Sequence, residues 1–271
     1  MIGVGMVRAR ELIGTADVLF VTFDSLRYDV AQGALAAGQT PHISAVLPDG
    51  RWEERRSPGS FTLPAHLAFF AGFLPVPVDH DRPGRLFACQ GRWGRTVTPA
   101  TYVFDDVPNI VEGCARLGYR TICIGGVGFF SKTTELGRVL PGMFQESHWS
   151  PDTGVNSLAS TELQVDLAVR LITETPVDRR LFLFVNVSAT HEPHHMYVPG
   201  AEQDSPQTQA AALAYADPHV GRLMTAMRDR ARCLTILCAD HGTAFGEDGF
   251  QGHGVPHPVV WTVPYAEFLL G

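Results

Sequence analysis

The stretch LTILCADHGTAFGEDGFQGHG (residues 234–254) joins a short apolar run to a glycine-rich loop that carries Asp240, His241 and His253. An apolar, β-branched run of this length ending in polar residues reads as a strand buried on both faces. Comparable runs stand at 18–23, 119–124, 181–187 and 265–270. Helical patterns lie between them at 109–117, 161–173 and 207–230, the last led by alanines with Leu213, Val220, Leu223 and Met227 at helix-compatible spacings. The alternation predicts an α/β fold with a mostly parallel sheet.

In such sheets, reactive groups gather beyond the carboxyl ends of the strands. The run at 18–23 ends in Asp24, the run at 181–187 leads through Ser188, Ala189 and Thr190 to His191, and the run at 234–239 ends in Asp240 and His241. Carboxylates and imidazoles are ligands for hard or borderline metals. An aspartate at a strand end can also merely cap a turn, and a histidine in a loop can be plain polar surface. Residues 239–254 point further, because glycines let the backbone bend so that separated ligands converge.

The chain has 271 residues, enough for a sizeable core, and one domain over 1–271 is expected. Glycine and proline cluster at 72–99 and 125–154, marking long loops rather than a linker. A net charge of −7 argues against a nucleic-acid polymer as partner. Lys132 is the only lysine, and the arginine groups Arg55-Arg56 and Arg228/Arg230/Arg232 read as solvated faces. The five cysteines form no CxxC pair and read as reduced core residues. No signal-peptide pattern opens the chain, and no apolar stretch reaches the ~20 residues that span a bilayer. These features lead to the expectation of a cytoplasmic protein with no membrane partner.

Five blocks, in order, resemble the alkaline phosphatase superfamily in its sulfatase-like branch. They are VLFVTFDSLRYD (18–29), TPHISAVLPDGRWEERRSPGSFTLPAHLAFFAGFLP (40–75), LFLFVNVSATHEPHHMYVP (181–199), AYADPHVGRLM (214–224) and residues 234–254. The resemblance implies a three-layer α/β/α sandwich and one metal ion bound by Asp24, Thr62, Asp240 and His241, with Thr62 as nucleophile. A threonine hydroxyl is a poor nucleophile at neutral pH, and coordination to a dication is one way to deprotonate it. Thr62 can also be the N-cap of a helix beginning near Pro64, and the two roles can coexist. His191 and His253 match positions that bind a second metal or the substrate in two-zinc relatives. His195, four residues after His191, extends that set, so a second site of His191, His195 and His253 competes with a single metal flanked by histidines. His66 is expected to face the substrate or to buttress the loop, and Arg27 with Asp29 to form a structural ion pair. The other histidines, His194 among them, read as surface or packing residues.

Two departures separate this chain from formylglycine sulfatases. Thr62-Leu63-Pro64-Ala65-His66 replaces the Cys/Ser-x-Pro-Ser-Arg motif, and Ile124-Gly125-Gly126-Val127 stands where the family carries a lysine. Both favour phosphorus over sulfur esters. The expectation is therefore a metal-dependent phosphoester hydrolase acting on a small anionic molecule, using one or two ions of zinc or manganese. The alternative is a phosphoryl-group transferase or mutase on the same site; a sulfatase or a non-catalytic module ranks below both. The usual C-terminal subdomain is not expected, and selectivity is assigned to the loops at 76–104 and 126–156.

Overall fold

Buried β-branched and aromatic runs build the centre of the molecule. The computed structural model describes residues 9–72 and 108–271. In chain order these hold α1 (Ala9–Leu12), β1 (Asp17–Phe23), α2 (Tyr28–Ala36), α3 (Pro41–Ser44), β2 (Glu53–Arg56), α4 (Thr62–Ala71), α5 (Ile110–Arg116), β3 (Arg120–Ile124) and α6 (Leu136–Val139). There follow β4 (Glu146–His148), α7 (Ser160–Glu174), β5 (Leu181–Val187), α8 (Pro206–Arg230), β6 (Cys233–Ala239), β7 (Ala244–Phe245), β8 (Gln251–Gly252), α9 (Pro258–Trp261) and β9 (Thr262–Leu270). The loop at 76–104 and Cys89 lie outside the described residues.

Seven strands form one sheet in the order β2-β9-β6-β1-β5-β3-β4. Strands β6, β1, β5, β3 and β4 run parallel, and β9 is antiparallel to both β6 and β2. Alternate residues of each strand face opposite layers. Leu19, Val21 and Phe23 pack with residues of α2, α7 and α8, whereas Val18 and Phe20 pack with residues of α4 and α5. The α/β/α sandwich expected from the sequence is therefore present, with helices on both faces of a mostly parallel sheet.

Register decides where the site forms. Phe23 pairs with Val187 on one side and Ala239 on the other. The residues that follow these three, Asp24, Ser188 and Asp240, therefore leave the sheet side by side.

The sheet edges were harder to read. Every residue of β2, with the sequence Glu-Glu-Arg-Arg, is exposed, so no apolar run marks it. Charge on an edge strand discourages pairing with another chain. Arg55 lies over the Tyr265 ring and Arg56 over Trp261, so these arginines cover aromatic surface. Within the second arginine group, Arg228 is solvated as expected, but Arg230 is not: its side chain is 5% exposed and donates to buried Asp17 at 2.9 Å. The described cysteines, Cys114, Cys123, Cys233 and Cys238, are buried free thiols.

Candidate active site

Asp24, Asp240 and His241 are fully buried, and their ligand atoms lie within 4.8 Å of one another. His241 Nε2 stands 3.6 Å from Asp24 Oδ1 and 3.4 Å from Asp240 Oδ2. Its Nδ1 donates to the Gly242 carbonyl at 2.9 Å, which turns the Nε2 lone pair toward the two carboxylates. Gly242 has little choice of residue type, because a Cβ there would meet the Val259 carbonyl oxygen at 2.1 Å.

The carboxylates are oriented from behind. Asn186 donates to Asp24 Oδ2 at 3.0 Å and the Ser25 hydroxyl to Oδ1 at 3.1 Å. Asp240 Oδ1 accepts from the backbone of Ser25 and His241 at 3.2 and 3.0 Å. Asp240 Oδ2, also buried, accepts no hydrogen bond among the described residues. Burial and the neighbouring Asp24 push the Asp240 carboxyl well above the usual range. For Asp24, burial raises the value, but His191, His241 and Asn186 outweigh it and hold the carboxyl below its ordinary value. Two buried carboxylates, an orphaned oxygen and a lone pair facing inward fit a divalent cation, which would satisfy all of them at once.

Thr62 opens α4, and Phe61 occupies the cap position instead. The N-cap reading of Thr62 does not hold: its Oγ1 is 3.4 Å from Asp24 Oδ2 and 3.5 Å from His241 Nε2. His191 Nε2 is 4.0 Å from Asp24 Oδ1, and its Nδ1 donates to the Glu192 carbonyl. The His253 ring lies 5.2 Å from that of His191 and 4.7 Å from that of His241. Thr62, His191 and His253 share the lining of a cavity of about 750 Å³.

Two expected site residues are not brought together with these. His195 turns away to Asp204, which its Nδ1 meets at 3.1 Å; residues 191–194 form no helix and a 3-10 turn starts only at His195, so the i, i+4 spacing from His191 does not become a shared face. His66 is fully buried, with Nδ1 donating to the Thr62 carbonyl at 2.8 Å and Nε2 3.1 Å from Thr22 Oγ1. It packs edge-on against Phe69, Phe130 and Phe184. The structure thus places it as a buttress behind Thr62, out of the cavity lining. Burial lowers its pKa to about 4, the Thr62 carbonyl opposing. Arg27 and Asp29 pair at 2.6 Å as expected, and Glu247 of the loop joining β7 and β8 joins the same guanidinium.

Sequence reasoning passed over Asn186 and Gln209. Gln209, buried on α8, donates to the carbonyls of Ser25 and Thr190 at 2.9 and 3.1 Å and so ties the loop after β1 to the loop after β5. A lone amide in a strand or helix gives no sequence signal of such a role.

The sulfatase family model matches residues 17–265, and the chain belongs to that family. No curated protein matches. Among solved structures, the chain is similar to the C-terminal periplasmic domain of phosphoethanolamine transferase EptC from Campylobacter jejuni, at 13% identity and TM-score 0.62 over 94% of this chain and 80% of that one. It is also similar to the lipoteichoic acid synthase LtaP from Listeria monocytogenes, at 12% identity and TM-score 0.65 over 98% and 69%. A third is the soluble domain of lipooligosaccharide phosphoethanolamine transferase A from Neisseria meningitidis, at 15% identity and TM-score 0.63 over 94% and 76%. These likenesses concern the fold.

They also correct the expected cytoplasmic location. Domains of this fold from C. jejuni and Escherichia coli are periplasmic, so neither the unpaired cysteines nor the unremarkable N-terminus locates such a chain in the cytoplasm. Among the described residues, no helix is long and apolar enough to cross a membrane.

Proposed function

We propose that this chain transfers a phosphorus-containing group from a phosphoester donor to an acceptor hydroxyl by way of a covalent ester on Thr62. The observation that carries the reading is the placement of Thr62 Oγ1, 3.4 Å from Asp24 and 3.5 Å from His241, at the head of a helix and open to a cavity. The transferases and synthase of similar fold support group transfer ahead of the simple hydrolysis expected from sequence. Water as acceptor would give the hydrolytic outcome of the same site.

Asp24, Asp240 and His241 would hold a divalent ion, with Thr62 as a fourth contact. Their oxygen and nitrogen donors suit zinc or manganese, and an E. coli EptC domain of similar fold is a complex with zinc. Such an ion supplies Lewis acidity, which lowers the pKa of a nearby hydroxyl and neutralises charge on phosphoryl oxygens.

The remaining chemistry belongs to the chain. Thr62 Oγ1 gives up its proton as it attacks phosphorus, the bond to the leaving oxygen breaks, and that oxygen departs with the electron pair and takes up a proton. The acceptor hydroxyl then loses its proton as it attacks phosphorus, and the bond to Thr62 Oγ1 breaks, Oγ1 keeping the electron pair and regaining a proton. His191, whose Nδ1 is engaged by the Glu192 carbonyl and whose Nε2 is left as an acceptor, is assigned to hold or pass these protons. His253, facing it, is assigned to the phosphoryl oxygens. The test is product partition. Metal-supplied protein and an aryl phosphodiester are incubated with increasing glycerol, and aryl alcohol and glycerol adduct are both measured. Adduct should rise at the expense of hydrolysis product; no aryl alcohol with zinc, manganese or magnesium would discard the reading.

A further inference from the structure

The cavity in front of Thr62 is far larger than a phosphoryl group and is not a uniformly polar cleft. Beyond Thr62, His191 and His253 it is walled by Phe61, Val127, Phe129, Leu136, Trp149 and Val155. The Phe61 and Phe129 rings lie 6.0 Å apart, and Trp149 is pinned by donating from Nε1 to the Gly126 carbonyl at 3.1 Å. The polar members of the wall, Ser131, Thr133, Thr134, Asn156 and Gln251, are neutral. Among the described lining residues Glu192 is the one carboxylate, and none is lysine or arginine.

Among the described residues, the cations Lys132 and Arg27 are committed elsewhere. Lys132 lies between the lining residues Ser131 and Thr133, but its ammonium donates to the Ser147 carbonyl. Arg27 is held by Asp29 and Glu247. Beyond the proposed ion and the two histidines, the described wall has no cation to offset the second negative charge of a phosphomonoester, and Glu192 opposes an anionic substituent seated along it. It does offer apolar surface, which favours burial of an uncharged group.

On these grounds we infer that the donor is a monoanionic phosphodiester with one uncharged aryl or alkyl substituent seated among Phe61, Phe129, Leu136, Trp149 and Val155. The inference rests on the Thr62 reading for its chemistry, but not for its binding.

Two measurements separate the outcomes. The first compares bis(4-nitrophenyl) phosphate, methyl 4-nitrophenyl phosphate and 4-nitrophenyl phosphate on the full chain supplied with zinc or manganese. All three release the same alcohol. The bis-aryl diester should exceed the methyl diester in kcat/KM by at least about tenfold, and both should exceed the monoester. Phe129→Ala should lower the bis-aryl value by about tenfold and the methyl value by under about threefold; Val155→Ala is the milder companion should Phe129→Ala fold poorly. The second measures binding of diphenyl phosphate and phenyl phosphate to Thr62→Ala by equilibrium dialysis. Tighter binding of diphenyl phosphate, weakened by Phe129→Ala, supports the inference even if no substrate turns over, in which case the Thr62 chemistry alone falls. Equal or tighter binding of phenyl phosphate, or a faster monoester, overturns the inference.

Discussion

Asn186 is the buried joint between Asp24 of the proposed metal site and the cavity, and its removal should be felt in both. From β5 its amide nitrogen donates to Asp24 Oδ2 at 3.0 Å and Thr22 Oγ1 at 3.2 Å. Its amide oxygen accepts the backbone N–H groups of Gly126 and Val127 at 3.3 and 3.1 Å. The loop cannot draw closer to replace these bonds, since a Cβ on Gly126 would already meet the Asn186 carbonyl oxygen at 2.4 Å. Asn186→Leu keeps the branched outline, with bulkier methyls, and orphans two buried N–H groups, at about 1–3 kcal/mol each, so urea unfolding should show a loss of about 3 kcal/mol after partial relaxation. It also frees Asp24 to rotate, and loss of a partner that orients a ligand typically weakens metal binding by about 10–100-fold. Zinc titration in competition with a chelator reads the second effect separately. Thr22→Val removes the neighbouring hydroxyl without touching Asp24 and should leave zinc affinity within about threefold. Wild-type zinc affinity in Asn186→Leu would refute the orienting role.

Other consequences follow from single contacts. His194 is buried, its Nδ1 engaged by the Thr208 hydroxyl at 2.8 Å and its Nε2 without a hydrogen-bond partner among the described residues. Burial lowers its pKa from 6.5 to about 4, with Asp204 opposing. Because the folded value lies below the unfolded one, the unfolded chain takes up the proton first. Stability should thus fall as pH drops from 6.5 toward about 4 and be unaffected by this group above 6.5; urea midpoints across that range should flatten in His194→Asn. Arg27→Ala breaks the link from the β1 end to the β7–β8 loop. Asp29 and Glu247 are 61% and 32% exposed, so the loss should be only about 1–2 kcal/mol by urea unfolding, with zinc content unchanged. Asp240→Asn should abolish stoichiometric zinc by elemental analysis, while His195→Ala should leave it intact. Sulfate esters should turn over more slowly than matched phosphodiesters, because Thr62 cannot form the aldehyde hydrate of formylglycine sulfatases.

What the sequence disclosed, and what it hid, has a physical pattern. The inner strands were visible because strands buried on both faces are nearly continuously apolar, as 181–187 is apart from Asn186 and 234–239 apart from Thr235. Asp24, Asp240 and His241 were visible because they break such runs at their ends. β2 was missed because it is exposed throughout, and β4 because three residues within a long loop carry no periodicity. His195 misled because spacing of four implies a shared face only on a helix, and this loop hands it to Asp204. The burial of His66 and the joint at Asn186 depend on contacts between residues far apart in sequence, 44 positions for His66 with Thr22 and 162 for Asn186 with Asp24. No local pattern reports such distances.

The central claim is that Thr62 carries the transferred group, and intact-mass analysis after rapid acid quench tests it most directly. Zinc-supplied protein mixed with an excess of bis(4-nitrophenyl) phosphate should gain, within the first turnover, one adduct equal to the transferred aryl phosphoryl group. Peptide mapping should place it on Thr62, and Thr62→Ala should show neither adduct nor burst. An adduct on another residue, or wild-type turnover in Thr62→Ala, would contradict the account.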